Sequence, residues 1–545
     1  SSIESKYNSR DDREHAEFAE ACIANFREGT PLYDAETEYQ LDKQLIELIS
    51  CQMINATVQK LYDPAKNAVI TVNSPAKEGL AVPTEAELVA VLKEVVASEI
   101  KPFEDNVKKE PLISEDVVLK GSPVKKSKLN EAMGTTEWTL KNGIQVIVKQ
   151  TPYEADAINI EAVADGGAAI FSDEDYYSAQ MLSSVMSMSG ISKFSATDLR
   201  KQLSGKQAAA AVSVSQYKHS VSGSSTLKDV ETMMQLFYLQ FTAPRFDKDG
   251  YDNFMKRYNS ILANQMTNPD FIFSQEMLKS LYGNNHRRQQ LTPELLQTIK
   301  LEHMPAIHKR LYSNAADFRF TFIGNMSEEQ LKPYVEKYIG SLPTAQKPGN
   351  VYTDDNVDYA KGGVVNDFRT KMEQPKVSVF FAYTGDMAVT MKNKLVATYL
   401  TTALDNRYLK SIREEKGGTY GVGVSAALIP RTKQYALQVQ FDTNEQMADE
   451  LMAIVVAELE KIAKEGPLKE DMDKTREYEN KNYTKSIEQN SWWSNAILYK
   501  YRYGIDYVKE YLDAVNSVTA ADVQALAQQI LKDGNLVKVV MRPEK

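Results

Sequence analysis

The sequence LDNRYLKSIREEKGGTYGVG, from Leu404 to Gly423, contains the end of a helix, a double-glycine turn and the start of an extended segment. Apolar residues recur upstream at helical spacing, as at Val396, Leu400 and Leu404. Glycine is the favoured residue just past a helix end, so Gly417-Gly418 is predicted to stop this helix. We expect the residues from Thr419 to Ala426 to form a strand.

Two hydrogen-bond donors, Arg413 and Tyr420, flank the double glycine on different predicted elements. A guanidinium and a phenol held in this way can converge on a peptide carbonyl or a developing oxyanion. The alternative is a solvated helix cap, which is the usual role of a charged run at a helix end. A phosphate-binding loop is excluded, because here the glycines follow a helix and precede a strand.

Composition limits the function classes. With 545 residues the chain should form more than one domain, and 43% hydrophobic with 25% charged residues is ordinary for a globular protein. A net charge of −10 without a basic stripe argues against nucleic acid as a partner. No apolar run is long enough to span a bilayer. The two cysteines, Cys22 and Cys51, lie in helical patterns and are predicted to be buried thiols, with one disulfide left open.

An internal repeat organises the chain. Val58-Gln59 leads through a helix end and a turn to VNSPAK at 72–77, and Val523-Gln524 leads through the same elements to VMRPEK at 540–545. A third copy ends in the strand at 318–323. The pattern predicts about two and a half copies of an α+β domain of roughly 200 residues. Because the first copy lacks its opening strands, we expect the missing part to lie on another polypeptide or to have been cut away.

The repeat divides the chain into four predicted regions. Residues 1–80 form the C-terminal part of an incomplete domain, with a short strand at 68–72, and residues 81–136 connect the two halves. Residues 137–345 form one complete domain, and residues 346–545 form another that carries Arg413 and Tyr420.

Three stretches carry a resemblance to a known family: LKNGIQVIV at 140–148 followed by Gly166-Gly167, FRFTFIGN with the helix to SLP at 318–343, and the segment at 404–423. Together they resemble the pitrilysin-like (M16) zinc metallopeptidases, the group of insulin-degrading enzyme and the mitochondrial processing peptidase. The resemblance implies an α+β fold of repeated two-layer α/β sandwich domains of the M16 (LuxS/MPP-like) type. Two complete copies and the end of a preceding one would be present.

The family's catalytic domain carries an inverted zinc motif, His-x-x-Glu-His, with a distant glutamate as the third ligand. By the resemblance, Gln180 stands for the first histidine, Ser183 for the glutamate and Ser184 for the second histidine. None of the three is a strong zinc ligand or a general base. The region of the third ligand, residues 253–269, contains no carboxylate. The chain itself is therefore expected to bind no metal.

The resemblance implies the non-catalytic C-terminal half of a zinc endopeptidase that acts on unfolded peptides. Zinc in the complete enzyme would lie on an absent N-terminal domain or on a partner chain carrying His-x-x-Glu-His. Tyr420 would donate to the scissile carbonyl or its oxyanion, and Arg413 would hold the substrate backbone. The chain alone is predicted to be inactive.

Two other functions remain open at the level of sequence: a zinc-less structural or peptide-holding subunit of the same fold, and a peptide-binding module that works alone. The residues do not indicate a compartment, and analogy with the family suggests the periplasm. The adjacent Trp492 and Trp493 cannot share one helix face, so at least one is predicted to meet a neighbouring domain or partner.

Overall fold

The computed structural model describes residues 2–61, 69–74, 79–99, 110–347 and 349–544. The chain divides into two compact units, Ser1–Glu110 and Pro111–Lys545. Each unit is described by itself.

The first unit is helical. Its helices are α1 (Ser2–Asn8), α2 (His15–Glu28), α3 (Ala35–Leu48), α4 (Cys51–Leu61) and α5 (Glu85–Ala97). A reciprocal capping box of Thr84 and Glu87 begins α5, as its sequence predicts. Residues 69–74 have no regular secondary structure, so the strand predicted at 68–72 is absent there, and residue 68 lies outside the described residues.

None of these five helices buries a residue among those described. Cys22 and Cys51 are exposed, free thiols, which corrects the prediction that they are buried. The helices carry apolar residues, but the described part of this unit supplies no sheet for them to pack against.

The second unit begins with a seven-stranded sheet. Its strands are β1 (Val124–Asn130), β2 (Thr135–Leu140), β3 (Gln145–Gln150), β4 (Ile158–Asp165), β5 (Ala208–Val214), β6 (Lys218–Ser225) and β7 (Arg319–Gly324). The helices of this part are α6 (Asp173–Ser189), α7 (Ala196–Gln202), α8 (Val230–Thr242), α9 (Lys248–Gln265), α10 (Pro269–Leu281), α11 (Pro293–Leu296), α12 (Met304–Tyr312) and α13 (Glu328–Tyr338). One core lies between the helices and the sheet, with Phe237 and Phe320 among its fully buried side chains. The sheet starts earlier than expected, because β1 and the first residues of β2 lie in the predicted connector at 81–136.

A five-stranded sheet follows. Its strands are β8 (Val364–Thr370), β9 (Val377–Asp386), β10 (Gly423–Ile429), β11 (Gln434–Thr443) and β12 (Leu536–Pro543). Its helices are α14 (Met391–Tyr408), α15 (Ala448–Glu465), α16 (Lys469–Ser486), α17 (Asn490–Tyr503), α18 (Tyr507–Ser517) and α19 (Ala520–Asp533). The apolar side chains of α14, α15 and α19 form a second core with β9 and β11.

The two sheets share one topology. The strand order β3-β7-β4-β6-β5 of the first sheet is repeated as β8-β12-β9-β11-β10 in the second. In both, the first pair is parallel (β3 with β7, β8 with β12) and the other pairs are antiparallel. The predicted α+β class of repeated sandwich domains is confirmed.

The second face of each sheet is covered by a helix from the other repeat. Helix α17 inserts Trp493 and Ile497 against Ile147 and Ile323 of the first sheet. Helix α10 of the first repeat packs on the second sheet in the same way. Its side chains Phe273 and Leu281 contact Val537, Val539 and Met541. The prediction that one of the paired tryptophans meets a neighbouring domain is confirmed by Trp493.

Candidate functional site

The helix before the double glycine ends in a widened turn. Helix α14 passes directly into a π-helical segment, Leu409–Glu414. In this segment the Glu415 amide donates to the Lys410 carbonyl, five residues earlier, at 2.9 Å. Such segments re-aim the side chains that follow and are frequent at functional sites. Ile412 in the segment is buried, whereas Arg413 is exposed.

The geometry of the turn favours glycine at both positions. Gly417 has φ +61°, a conformation that residues with a Cβ adopt at a cost. The Gly417 amide donates to the Arg413 carbonyl at 3.1 Å and the Gly418 amide to the Ile412 carbonyl at 3.3 Å. A Cβ on Gly418 would lie 2.6 Å from Leu451 Cδ1 and 2.9 Å from Met447 Cε, so a side chain there would displace the ends of these two side chains.

The base of the turn is anchored and its tip is exposed. Thr443 Oγ1 donates to the Gly418 carbonyl at 2.6 Å, and Lys416 Nζ pairs with Glu450 at 2.5 Å. The next residues form a loop in which Thr419 Oγ1 donates to the Gly421 carbonyl at 3.0 Å. Strand β10 therefore begins at Gly423, four residues later than the predicted strand, because Thr419 is used for this local turn.

Tyr420 lies at the tip of the loop with its ring fully exposed, at a relative exposure of 101%. A phenol in this position is accessible to a ligand, as the sequence-based hypothesis requires. Arg413 and Tyr420 are thus both presented to solvent on opposite sides of one anchored turn. Their convergence on one substrate group stays a prediction.

The positions that correspond to the zinc motif lie on α6. Gln180 is half-buried and its Nε2 donates to Tyr176 Oη at 3.1 Å, while that hydroxyl donates to the Arg287 carbonyl at 3.1 Å. Burial raises the pKa of the Tyr176 phenol to about 12, which keeps it a proton donor at neutral pH. Ser183 and Ser184 are half-buried on the next turn.

These three side chains do not fit a zinc ion. An amide engaged with a tyrosine and two hydroxyls lack the imidazole, thiolate or carboxylate donors that Zn²⁺ prefers. Elsewhere in the described parts of the chain, no three His, Cys, Asp or Glu side chains are grouped so that they could hold a metal ion. His219 and His308 lie in the first core, where their Nε2 atoms contact the carbonyls of Leu311 at 2.9 Å and Gln240 at 2.8 Å.

Residues 298–478 match the family model described as the peptidase M16 inactive domain. Over these residues the chain is similar to M16 inactive domains. The matched residues include the widened helix end, the double glycine and Tyr420. The first part of the match covers the end of the seven-stranded repeat, and the remainder covers most of the five-stranded one.

The chain is also homologous to zinc proteases of the PqqL type. It is 23% identical over 539 residues to a zinc protease PQQL-like protein of Arabidopsis thaliana, and the alignment covers 92% of this chain and 51% of that protein. It is 22% identical over 435 residues to the probable zinc protease PqqL of Escherichia coli, and this alignment covers 78% of this chain and 45% of that protein. The chain thus spans about half the length of the curated relatives that it matches.

Solved structures with the same fold include M16 proteases. The periplasmic protease PqqL from Escherichia coli superposes with a TM-score of 0.71 at 18% identity, over 99% of this chain and 60% of that one. A mutant of the ferredoxin protease FusC in complex with Arabidopsis ferredoxin superposes with a TM-score of 0.69 at 18% identity, over 98% of this chain and 58% of that one. A peptidase M16 inactive domain from Pseudomonas fluorescens superposes with a TM-score of 0.61 at 16% identity, over 75% of this chain and 98% of that one.

Within the described residues, no helix is long and apolar enough to cross a membrane.

Proposed function

We propose that this chain is the non-catalytic C-terminal half of an M16-type zinc endopeptidase and forms one wall of its chamber. The observation that carries the proposal is the match to an M16 inactive domain around an anchored turn that holds Tyr420 in solvent. The amide and hydroxyls at Gln180, Ser183 and Ser184 support the assignment of zinc to an N-terminal half or partner chain that carries His-x-x-Glu-His.

Arg413 and Tyr420 would act on the substrate. The Tyr420 phenol would donate a hydrogen bond to the scissile carbonyl oxygen, and this bond would strengthen as negative charge develops there. The Arg413 guanidinium would hold a neighbouring backbone carbonyl and so fix the register of the peptide. Loss of one oxyanion donor typically costs about 2.7–4 kcal/mol of transition-state stabilisation.

The first unit supplies a surface for the partner. Helices α2 and α17 are both 14 residues long, and each ends at a left-handed glycine, Gly29 or Gly504. Whereas α17 buries Trp493 on a sheet, α2 leaves Phe18 and Phe26 exposed, the latter at 91%. We therefore propose that α2 covers the open face of a sheet in the partner, as α17 covers one here.

Reconstitution tests the proposal. The chain is mixed or co-expressed with an M16 N-terminal half that contains His-x-x-Glu-His, and cleavage of an internally quenched peptide is followed. Cleavage should require both parts, and Tyr420→Phe should lower kcat about 100-fold or more with little change in partner affinity. A stable, zinc-loaded complex that leaves the peptide intact would contradict a catalytic role.

The second candidate is a zinc-less structural or peptide-holding subunit, favoured by the same three residues of α6. Strands β5 and β10, one edge strand of each sheet, would then hold peptides by strand addition. Such a subunit would bind unfolded peptide without increasing its cleavage in the reconstituted complex.

We propose a periplasmic compartment by analogy with the named relatives, to be tested by fractionation.

A further inference from the structure

A groove runs along one face of α17. Two clefts of about 520 Å³ and about 380 Å³ lie between this helix and the seven-stranded sheet, and they share Glu161, Thr321 and Ser494 as lining residues. The helix contributes Asn490 at one end and Arg502 at the other. The twelve helical steps from Asn490 to Arg502 correspond to about 18 Å, the length of about five residues of extended peptide.

The floor of the larger cleft is made of small side chains. Cross-strand pairing sets Ala209 beside Ser224, and Ala211 beside Ser222. All four are exposed, because α17 covers the other half of this sheet face and leaves β5 and β6 uncovered. The floor therefore leaves room for a ligand's side chains on a flat, hydroxyl-bearing surface.

A buried asparagine with an unpaired amide nitrogen lines this cleft. Asn490, the first residue of α17, is 3% exposed and lines the cleft. Its Oδ1 accepts a hydrogen bond from Thr151 Oγ1 at 2.6 Å, whereas its Nδ2 has no partner among the described residues. A buried amide that lacks an acceptor is unusual in a folded protein, and a bound carbonyl oxygen would satisfy it.

The larger cleft is acidic. Glu161 and Glu154 line it without any lysine or arginine, whereas Arg319 and Arg502 line the smaller cleft. Glu161 Oε2 accepts a hydrogen bond from Ser494 Oγ at 3.2 Å, which fixes the carboxylate toward the groove. A cationic side chain would be favoured there over an anionic one.

We propose that this groove is a second peptide site, which holds an extended segment of about five residues with a basic side chain at its centre. A backbone carbonyl of the peptide accepts the hydrogen bond from Asn490 Nδ2, and a lysine or arginine side chain pairs with Glu161. The site rests on the proposed function for its ligand class, because a peptide-hydrolysing assembly must hold its peptides. It lies between α17 and the seven-stranded sheet, whereas Arg413 and Tyr420 flank the turn that leads into β10 of the five-stranded sheet.

Fluorescence anisotropy with the full chain tests the site. The probe is a fluorescein-labelled pentapeptide, Ala-Val-Arg-Val-Ala, compared with the same peptide carrying a central glutamate. The arginine peptide should bind at least five-fold more tightly, and Glu161→Gln should remove this preference. Asn490→Asp, which keeps the acceptor for Thr151 but removes the amide donor, should weaken both peptides.

A matched pair of bulky substitutions checks the location. Ala211→Trp fills the floor and should abolish binding, whereas Ser213→Trp, exposed on the same strand but outside the lining, should leave it unchanged. Equal effects of the two tryptophans, equal affinity for the two peptides, or no measurable binding would each overturn the site. The binding assay and the cleavage assay report on different residues, so the groove can fail while reconstituted cleavage succeeds, and the reverse.

Discussion

Arg502 Nε, near the end of α17, donates to Asp165 Oδ1 at the end of β4 over 2.8 Å. Arg431, from the turn between β10 and β11, donates to the same carboxylate. Arg502 Nη2 also donates to the Tyr217 carbonyl at 2.8 Å. One carboxylate of the first repeat therefore holds two guanidinium groups of the second.

Loss of this carboxylate should weaken the contact between the repeats. We expect Asp165→Asn to lower the free energy of unfolding by about 1.5 kcal/mol, the lower end for hydrogen bonds to charged groups, because the side chain is one-third exposed. Urea denaturation measures the change. Asp252→Asn, which breaks only an exposed pair with Lys248, should change stability by less than about 0.5 kcal/mol and serves as the control.

The two adjacent tryptophans should differ in their energetic contribution. Trp493 is 8% exposed between the two repeats, so Trp493→Ala should cost about 3–5 kcal/mol. Trp492 is half-buried against Tyr483 and Tyr507, and its replacement should cost clearly less. Denaturation curves of the two variants provide the measurement, and equal losses would contradict the assigned packing.

Acid should destabilise the first core through its two buried histidines. Burial lowers the pKa of both His219 and His308 to about 4, compared with an ordinary value of about 6.5 in the unfolded chain. Between these values the unfolded chain binds more protons, so the stability present above pH 6.5 is lost as the pH falls toward 4. The slope is at most about 1.4 kcal/mol per pH unit for each histidine.

Urea midpoints measured from pH 7 to pH 4.5 test this dependence. His219→Asn should make the profile shallower, although it also costs stability at neutral pH. His15→Asn in the first unit, where the side chain is exposed, should leave the profile unchanged. A wild-type profile that is flat over this range would refute the argument.

A side chain at the second position of the double-glycine turn should destabilise it. Gly418→Ala places a Cβ 2.6 Å from Leu451 Cδ1 and should cost about 1–3 kcal/mol by overpacking. It should also lower kcat in the reconstituted assembly, because the loop that carries Tyr420 is displaced. Gly421→Ala, where nothing lies within 4 Å of the added atom, is the matched control and should retain stability.

Sequence periodicity is sufficient for most elements of the two complete repeats, because helices and strands with one buried face carry their period in the residues themselves. It was insufficient for the cysteines, since a pattern shows that a helix has an apolar face but not whether anything covers it. The start of β10 was also missed, because the hydroxyl of Thr419 bonds locally to Gly421 and delays the strand.

By itself, the sequence determined the repeated α+β fold, the place of the double-glycine turn and the absence of zinc-ligating side chains at Gln180, Ser183 and Ser184. Only the tertiary structure decided that α10 and α17 exchange sheets, that Tyr420 is presented to solvent and that a groove with the amide of Asn490 runs beside α17. The physical reason is that residue type and local spacing fix the chemistry and the secondary structure. Contacts between residues hundreds of positions apart, such as Thr151 with Asn490, arise only when the two repeats pack together.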